Sequence, residues 1–150
     1  MKKTLLLLAL CSLLSLQLTA QEDNPGTVIN HIAVYVADLA HSTHFYRDII
    51  GLDTIPEPFH DGKHTWFSIG SGVQLHLIQG ATTATEHDKN SHLCFSVASV
   101  PAFIEILNRN KIPYEDWQGE KQAVTNRVDG VKQIYITDPD GYWVEINDAQ

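Results

Sequence analysis

Asn30-His31-Ile32-Ala33-Val34-Tyr35-Val36-Ala37-Asp38-Leu39 returns, in altered form, as Ser91-His92-Leu93-Cys94-Phe95-Ser96-Val97-Ala98-Ser99-Val100. Each copy alternates, and alternation sends successive side chains of a strand to opposite faces. In the first copy Ile32, Val34 and Val36 share one face, and His31, Ala33 and Tyr35 the other. In the second, Leu93, Phe95 and Val97 oppose His92. Each copy thus predicts a strand with one aliphatic face and one histidine on its other face.

A helical stripe follows each strand. Leu39, Phe45, Tyr46, Ile49 and Ile50 form the first, stopped by Gly51; Val100, Phe103, Ile104 and Leu107 form the second, started by Ser99 with Pro101 in the first turn. Strand-like runs come next: Leu52–Ile55, Thr65–Ile69 and Val73–Ile78 after the first helix, and Ile112–Glu115, Ala123–Val128, Val131–Thr137 and Tyr142–Ile146 after the second. The last run of each half carries another chemical residue. His76 opposes Val73, Leu75 and Leu77, and Glu145 opposes Val144 and Ile146; each stands four residues after a turn glycine, Gly72 or Gly141. The predicted fold is α+β: two βαβββ modules, about 27–80 and 90–150, pairing into a curved-sheet cup with the helices outside. A polar connector, Gly80 to Asn90, links them.

His31, His76, His92 and Glu145 therefore leave their strands on the non-aliphatic side. A single such histidine fits an ordinary hydrogen-bonded role. Two at equivalent positions of a repeat, joined by a third and a carboxylate, suggest a ligand set for a divalent metal, with Zn the default and Ni, Co, Fe or Mn also suited. Tyr35, Tyr135 and Trp143 share the cup-facing parity and are candidate substrate contacts, as are Gln74, Cys94, Gln133 and Trp66 by position. Cys94 is read as a small buried hydrophobe rather than a nucleophile. His41, His44, His60, His64 and His87 fall in helical or loop segments and are read as surface residues.

The ends and the composition narrow the setting. Lys2 and Lys3, the apolar run Leu5–Leu16 and Ala20 read as a bacterial secretory signal over residues 1–20, cleaved after Ala20, leaving a single domain at 21–150 that is exported to the periplasm or beyond. The run is too short for a membrane span. Removal takes Cys11 with it, so no internal disulfide is expected in the mature chain. Its formal charge would move from −8 to about −10, and nothing basic is clustered. Nucleic acid and anionic membrane are excluded as partners on that ground; a small-molecule substrate fits better.

Taken together, Asn30-His31-Ile32, Phe45-Tyr46, Ile50-Gly51-Leu52, the strand opening at His92 and the ending Asp138-Pro139-Asp140-Gly141-Tyr142-Trp143-Val144-Glu145 resemble the vicinal oxygen chelate superfamily. That superfamily includes glyoxalase I, methylmalonyl-CoA epimerase, fosfomycin-resistance enzymes and extradiol dioxygenases. The resemblance runs over roughly Val28 to Asp148. It implies that His31, His92 and Glu145 hold a metal, and that the chain forms a homodimer. His76 stands where glyoxalases usually carry glutamate and the epimerases glutamine. Three imidazoles and one carboxylate leave a divalent site about one unit positive, because imidazole binds neutral.

Two further positions depart from the glutathione-using glyoxalases, which often carry Arg four residues after the first ligand and Asn four after the third-strand ligand. Tyr35 and Gly80 occupy those places here. The resemblance therefore implies a metal-dependent lyase or isomerase of glyoxalase or epimerase type, not a strict glutathione-dependent glyoxalase I. Its substrate would chelate through vicinal oxygens, with Glu145 as the expected proton shuttle. A dioxygenase-like enzyme using Fe or Mn and a metal-free binding or resistance protein are the alternatives.

Overall fold

A computed structural model describes residues 26–149; the proposed signal at 1–20 lies outside them. Two four-stranded mixed sheets carry the fold, each open at its edges. The first module comprises β1 (His31–Val36), α1 (Leu39–His44), β2 (Thr54–Ile55), β3 (His64–Ser68) and β4 (Gln74–Gln79), in sheet order β1-β4-β3-β2. The second repeats it as β5 (His92–Ser96), α2 (Val100–Asn110), β6 (Thr125–Asn126), β7 (Lys132–Thr137) and β8 (Trp143–Asn147), in order β5-β8-β7-β6. First and last strands of each module pair in parallel, which requires the helix as crossover. Among the described residues no helix is long and apolar enough to cross a membrane.

Each helix starts where its sequence says. Asp38 caps α1 by accepting from the His41 amide, and Ser99 caps α2 by accepting from the Ala102 amide, with Pro101 in the first turn. Both helices cover the aliphatic faces of their sheets. Val34, Val36, Leu75, Leu77 and Phe67 from one module and Val144, Ile146, Ile134 and Ile136 from the other join Phe45, Tyr46, Phe103 and Leu107 in a single buried cluster. The core is therefore continuous between modules, and the faces bearing the candidate ligands lie opposite the helices.

Several elements differ from expectation. After His44 the first helix widens into a π turn, Phe45–Ile49, in which the Ile50 amide donates to the Phe45 carbonyl; this turn buries Phe45, Tyr46 and Ile49 together. Ile112–Glu115 is not a strand: only Glu115 forms bridges, to Lys121 and Tyr135. Ala123–Val128 shortens to Thr125–Asn126, since Arg127 and Asp129 turn the chain through Gly130. The second helix, for which the sequence marked no stop, ends on Lys111 in left-handed conformation (φ 56°).

Candidate metal and substrate site

Register fixes which side chains share a face. In the first sheet β1 pairs His31 with Gln74, Ala33 with His76 and Tyr35 with Ile78, while β3 sets Trp66 beside His76 and His64 beside Ile78. In the second, His92 pairs with Trp143, Cys94 with Glu145, and Glu145 with Tyr135. All the positions given cup-facing parity thus lie on the two faces turned away from the helices. His64, read from sequence as a surface loop residue, is instead the first residue of β3 on that same face, its side chain 18% exposed.

The four ligand candidates form two pairs. In the first sheet, the rings of His31 and His76 stack at 4.3 Å, and Trp66 stacks on the other side of His76 at 3.9 Å. His31 Nδ1 bonds Asn30 Oδ1 at 2.8 Å, which leaves Nε2 as a free lone pair. His76 Nε2 lies 2.8 Å from Gln74 Oε1, so metal binding through that nitrogen would displace the amide. Burial, then the His31 and His64 rings, push the His76 pKa down and hold it in the neutral, ligating form. Asn30, His31, Phe59, His64, Trp66, Gln74, His76 and Ile78 line a cleft of about 540 Å³. Trp66 Nε1 is buried in that wall without a partner among the described residues.

The second pair is built more tightly. His92 Nδ1 donates to the Lys89 carbonyl at 2.7 Å, so its Nε2 lone pair faces Glu145 Oε2 at 3.3 Å. Two lone pairs at that separation repel unless a proton or a cation lies between them. Burial alone would raise the Glu145 pKa. Donors outweigh it: Tyr135 Oη at 2.6 Å, Asn147 Nδ2 at 2.8 Å and Cys94 Sγ at 3.5 Å, with His92 adding to them, hold the carboxyl below its ordinary value. Gln133 Nε2 in turn donates to Tyr135 Oη at 2.9 Å and orients it. Desolvation, followed by Glu145, pushes the Cys94 thiol up to about 12, which agrees with reading it as no nucleophile. The residue is exposed, however, and not the buried hydrophobe read from sequence, because it stands on the face turned away from the helices.

Among the described residues, no three His, Cys, Asp or Glu side chains stand together as a site for one ion. One chain supplies two half-sets, His31 with His76 and His92 with Glu145. The donor chemistry fits a divalent metal nonetheless: imidazoles with one nitrogen committed to a hydrogen bond and the other left over, and a carboxylate held by three donors, are the usual arrangement of such ligands. Of the substrate-contact candidates, Tyr135 is buried and bonded to Glu145, whereas Tyr35 is 52% exposed. Trp143 donates from Nε1 to the His87 carbonyl, and the Lys89 ammonium lies 4.6 Å over its ring. The two departures noted above are neighbours in space: a Cβ on Gly80 would come 2.5 Å from Tyr35 Oη, so the tyrosine ring rests where a side chain at 80 would otherwise stand.

Comparison with known proteins agrees with this architecture. The family model described as Glyoxalase/Bleomycin resistance protein/Dioxygenase superfamily matches residues 28–146. A metallothiol transferase, FosB, from Staphylococcus haemolyticus is 30% identical over 129 residues, covering 79% of this chain and 81% of its own. A lactoylglutathione lyase from Pseudomonas putida is 28% identical, covering 85% and 90%. Among solved structures, the fosfomycin resistance protein FosX of Listeria monocytogenes superposes with a TM-score of 0.66 at 22% identity, over 83% of this chain and 95% of that one, and so shares the fold.

Proposed function

Because the chain belongs to the glyoxalase/bleomycin resistance protein/dioxygenase superfamily, we propose that it is a metal-dependent lyase or isomerase acting on a small substrate that chelates through two adjacent oxygens. The observation carrying this reading is the pairing of His92 Nε2 with Glu145 Oε2, both acceptors aimed at one point and both fixed from behind. His31 and His76 would complete the set.

Neither half-set holds an ion alone, so the reading includes a homodimer in which the first module of one chain faces the second module of the other. Export of the chain to the periplasm, as its first twenty residues suggest, belongs to the same reading.

When bound, the divalent ion would act as a Lewis acid towards the oxygen pair and acidify the neighbouring C–H. The protein's own residues have other tasks. Tyr135 and Asn147 keep Glu145 ionised and fixed; the Lys89 carbonyl selects the His92 tautomer. Trp66 and His31 hold the His76 ring flat between them. The aromatic walls of the cleft exclude water from one side of the substrate.

The test is complementation. A chain carrying His31→Ala and His76→Ala, and a second carrying His92→Ala and Glu145→Ala, are each expected to lose bound metal after purification. Refolded as a mixture, they form heterodimers with one intact site, and elemental analysis should recover metal at one ion per heterodimer. Recovery by neither mixture nor wild type, with the fold intact, would leave a metal-free binding protein. Hydroxyacetone and dihydroxyacetone in deuterated water, added to the metal-loaded protein, report the chemistry by C–H exchange. Oxygen uptake with catechols after iron loading would point to a dioxygenase instead.

A further inference from the structure

The glutamate absent from position 76 removes a carboxylate from the site, and the one that remains has its oxygens taken up by neighbouring donors. Glu145 already accepts from Tyr135 at 2.6 Å, Asn147 at 2.8 Å and Cys94 at 3.5 Å, so both its oxygens are engaged. A proton acceptor must come from elsewhere on the ligand faces.

His64 fits that need. It leaves β3 on the face of Trp66 and His76 and lines the cleft with His31 and His76. Its Nδ1 lies 2.9 Å from Asp61 Oδ1, the same oxygen that accepts from the Lys63 amide at 2.9 Å, so the carboxylate is positioned before it meets the ring. With Nδ1–H committed to Asp61, Nε2 carries the basic lone pair, and it has no hydrogen-bond partner among the described residues. Phe59 packs against the His64 ring at 4.7 Å. An acceptor oriented from behind by a carboxylate, with its other nitrogen unpartnered on a residue that lines a cleft, is the arrangement of a general base.

From this geometry we propose that His64, oriented by Asp61, is the proton acceptor of the reaction; the proposal rests on the metal-dependent reading above. With an α-hydroxyketone in the cleft, the C–H bond of the hydroxyl-bearing carbon breaks. Its electron pair passes into the adjacent carbonyl to give an enediolate, and the proton sits on Nε2 as an imidazolium facing Asp61. Return of that proton to the former carbonyl carbon, with transfer of the hydroxyl proton between the two oxygens, completes a 1,2-shift without any co-reactant. His64 is catalytic in this scheme and Asp61 is a positioning residue.

The experiment uses metal-loaded dimer, hydroxyacetone and dihydroxyacetone as exchange probes, and acetohydroxamate as a two-oxygen chelator that needs no base. His64→Gln should keep metal stoichiometry and bind acetohydroxamate within about twofold of wild type, while C–H exchange falls a hundredfold or more. Asp61→Asn should show a smaller loss, and nitrogen NMR of the imidazole rings should show His64 leaving the single Nδ1–H tautomer. In the wild-type Zn protein, acetohydroxamate should shift the His64 Nε2 resonance. Exchange unchanged in His64→Gln, or a His64 signal blind to bound acetohydroxamate, overturns this assignment alone. A wild type that takes up no metal or binds no acetohydroxamate sinks the reading beneath it as well.

Discussion

At the scale of single residues, the site is decided by which nitrogen or oxygen is already committed. His92 shows this plainly: its Nδ1 bond to the Lys89 carbonyl leaves only Nε2 for an ion, so the tautomer is chosen before any ligand arrives. Glu145 owes its ionised form to Tyr135 more than to any other donor. Tyr135→Phe should therefore let the Glu145 carboxyl rise towards its ordinary value and swing free, and should strand Gln133 Nε2, whose acceptor is the same hydroxyl. Metal affinity is expected to fall by about tenfold, within the usual cost of losing a residue that orients a ligand; competition with a chromophoric chelator measures it. Unchanged affinity would show that the ring alone, not the hydroxyl, supports the carboxylate. The face that carries the candidate ligands was legible because alternation marks those positions against aliphatic neighbours. His64 was not, because Asp61-Gly62-Lys63 reads as a turn and hides that the strand begins at the next residue; its parity with Trp66 and the acid three positions earlier were the available signals.

At the scale of elements, strands with a sharp aliphatic face came through from sequence with little loss, as β1, β4, β5, β7 and β8 show. Those without one did not. Ile112–Glu115 has the composition of a strand, but Glu115 is drawn off by Lys89 and Asp116 turns back through the Glu120 amide, so the segment closes a loop instead. The π turn was invisible for a similar reason: it is fixed by Tyr46 reaching Asp138 in the other module, not by local spacing. Gly141 was assigned to a turn, and the structure gives it a second duty. It adopts φ +91°, and a Cβ there would stand 2.1 Å from the Thr85 carbonyl oxygen, on the connector whose Thr85 amide donates to Asp140. Gly141→Ala combines left-handed strain with a backbone collision, which predicts a loss of about 1–3 kcal/mol on the scale of other strained backbone positions. Chemical denaturation reads the loss. Faster proteolysis between Gly80 and Asn90 should accompany it, because the connector is what the methyl group displaces; destabilisation with the connector still protected would place the strain elsewhere.

At the scale of the whole molecule, the question is why two modules, each with its own sheet and helix, behave as one body. The repeat in the sequence showed the two units but not their junction, because Asp138-Pro139-Asp140-Gly141 looks like any acidic turn. In the fold both acids are buried. Asp140 accepts from the Ser42 hydroxyl and the Ala37 amide at 2.6 Å each, and Asp138 accepts from the Tyr46 hydroxyl at 2.8 Å, so the second module's turn grips the first module's helix. Burial raises the Asp138 pKa above its ordinary value, and the Tyr46 donor opposes that rise. The sign of the linkage follows from this. A carboxyl raised on folding binds its proton more tightly in the native state, so above its folded value it subtracts from stability, and that deficit is recovered as the pH falls through the raised value. Tyr46→Phe removes the opposing donor and leaves Asp138 Oδ2 unpaired. It should cost about 1–3 kcal/mol at neutral pH, the usual penalty for an unsatisfied buried acceptor, and push the carboxyl higher still. The difference from wild type should therefore shrink as the solution is acidified towards that carboxyl's value, where a protonated Asp138 no longer needs the phenol. Urea midpoints for both proteins across a pH series measure it. A gap that stayed constant with pH would mean that the phenol acts by packing alone, and that the hydrogen bond to Asp138 does not hold the modules together.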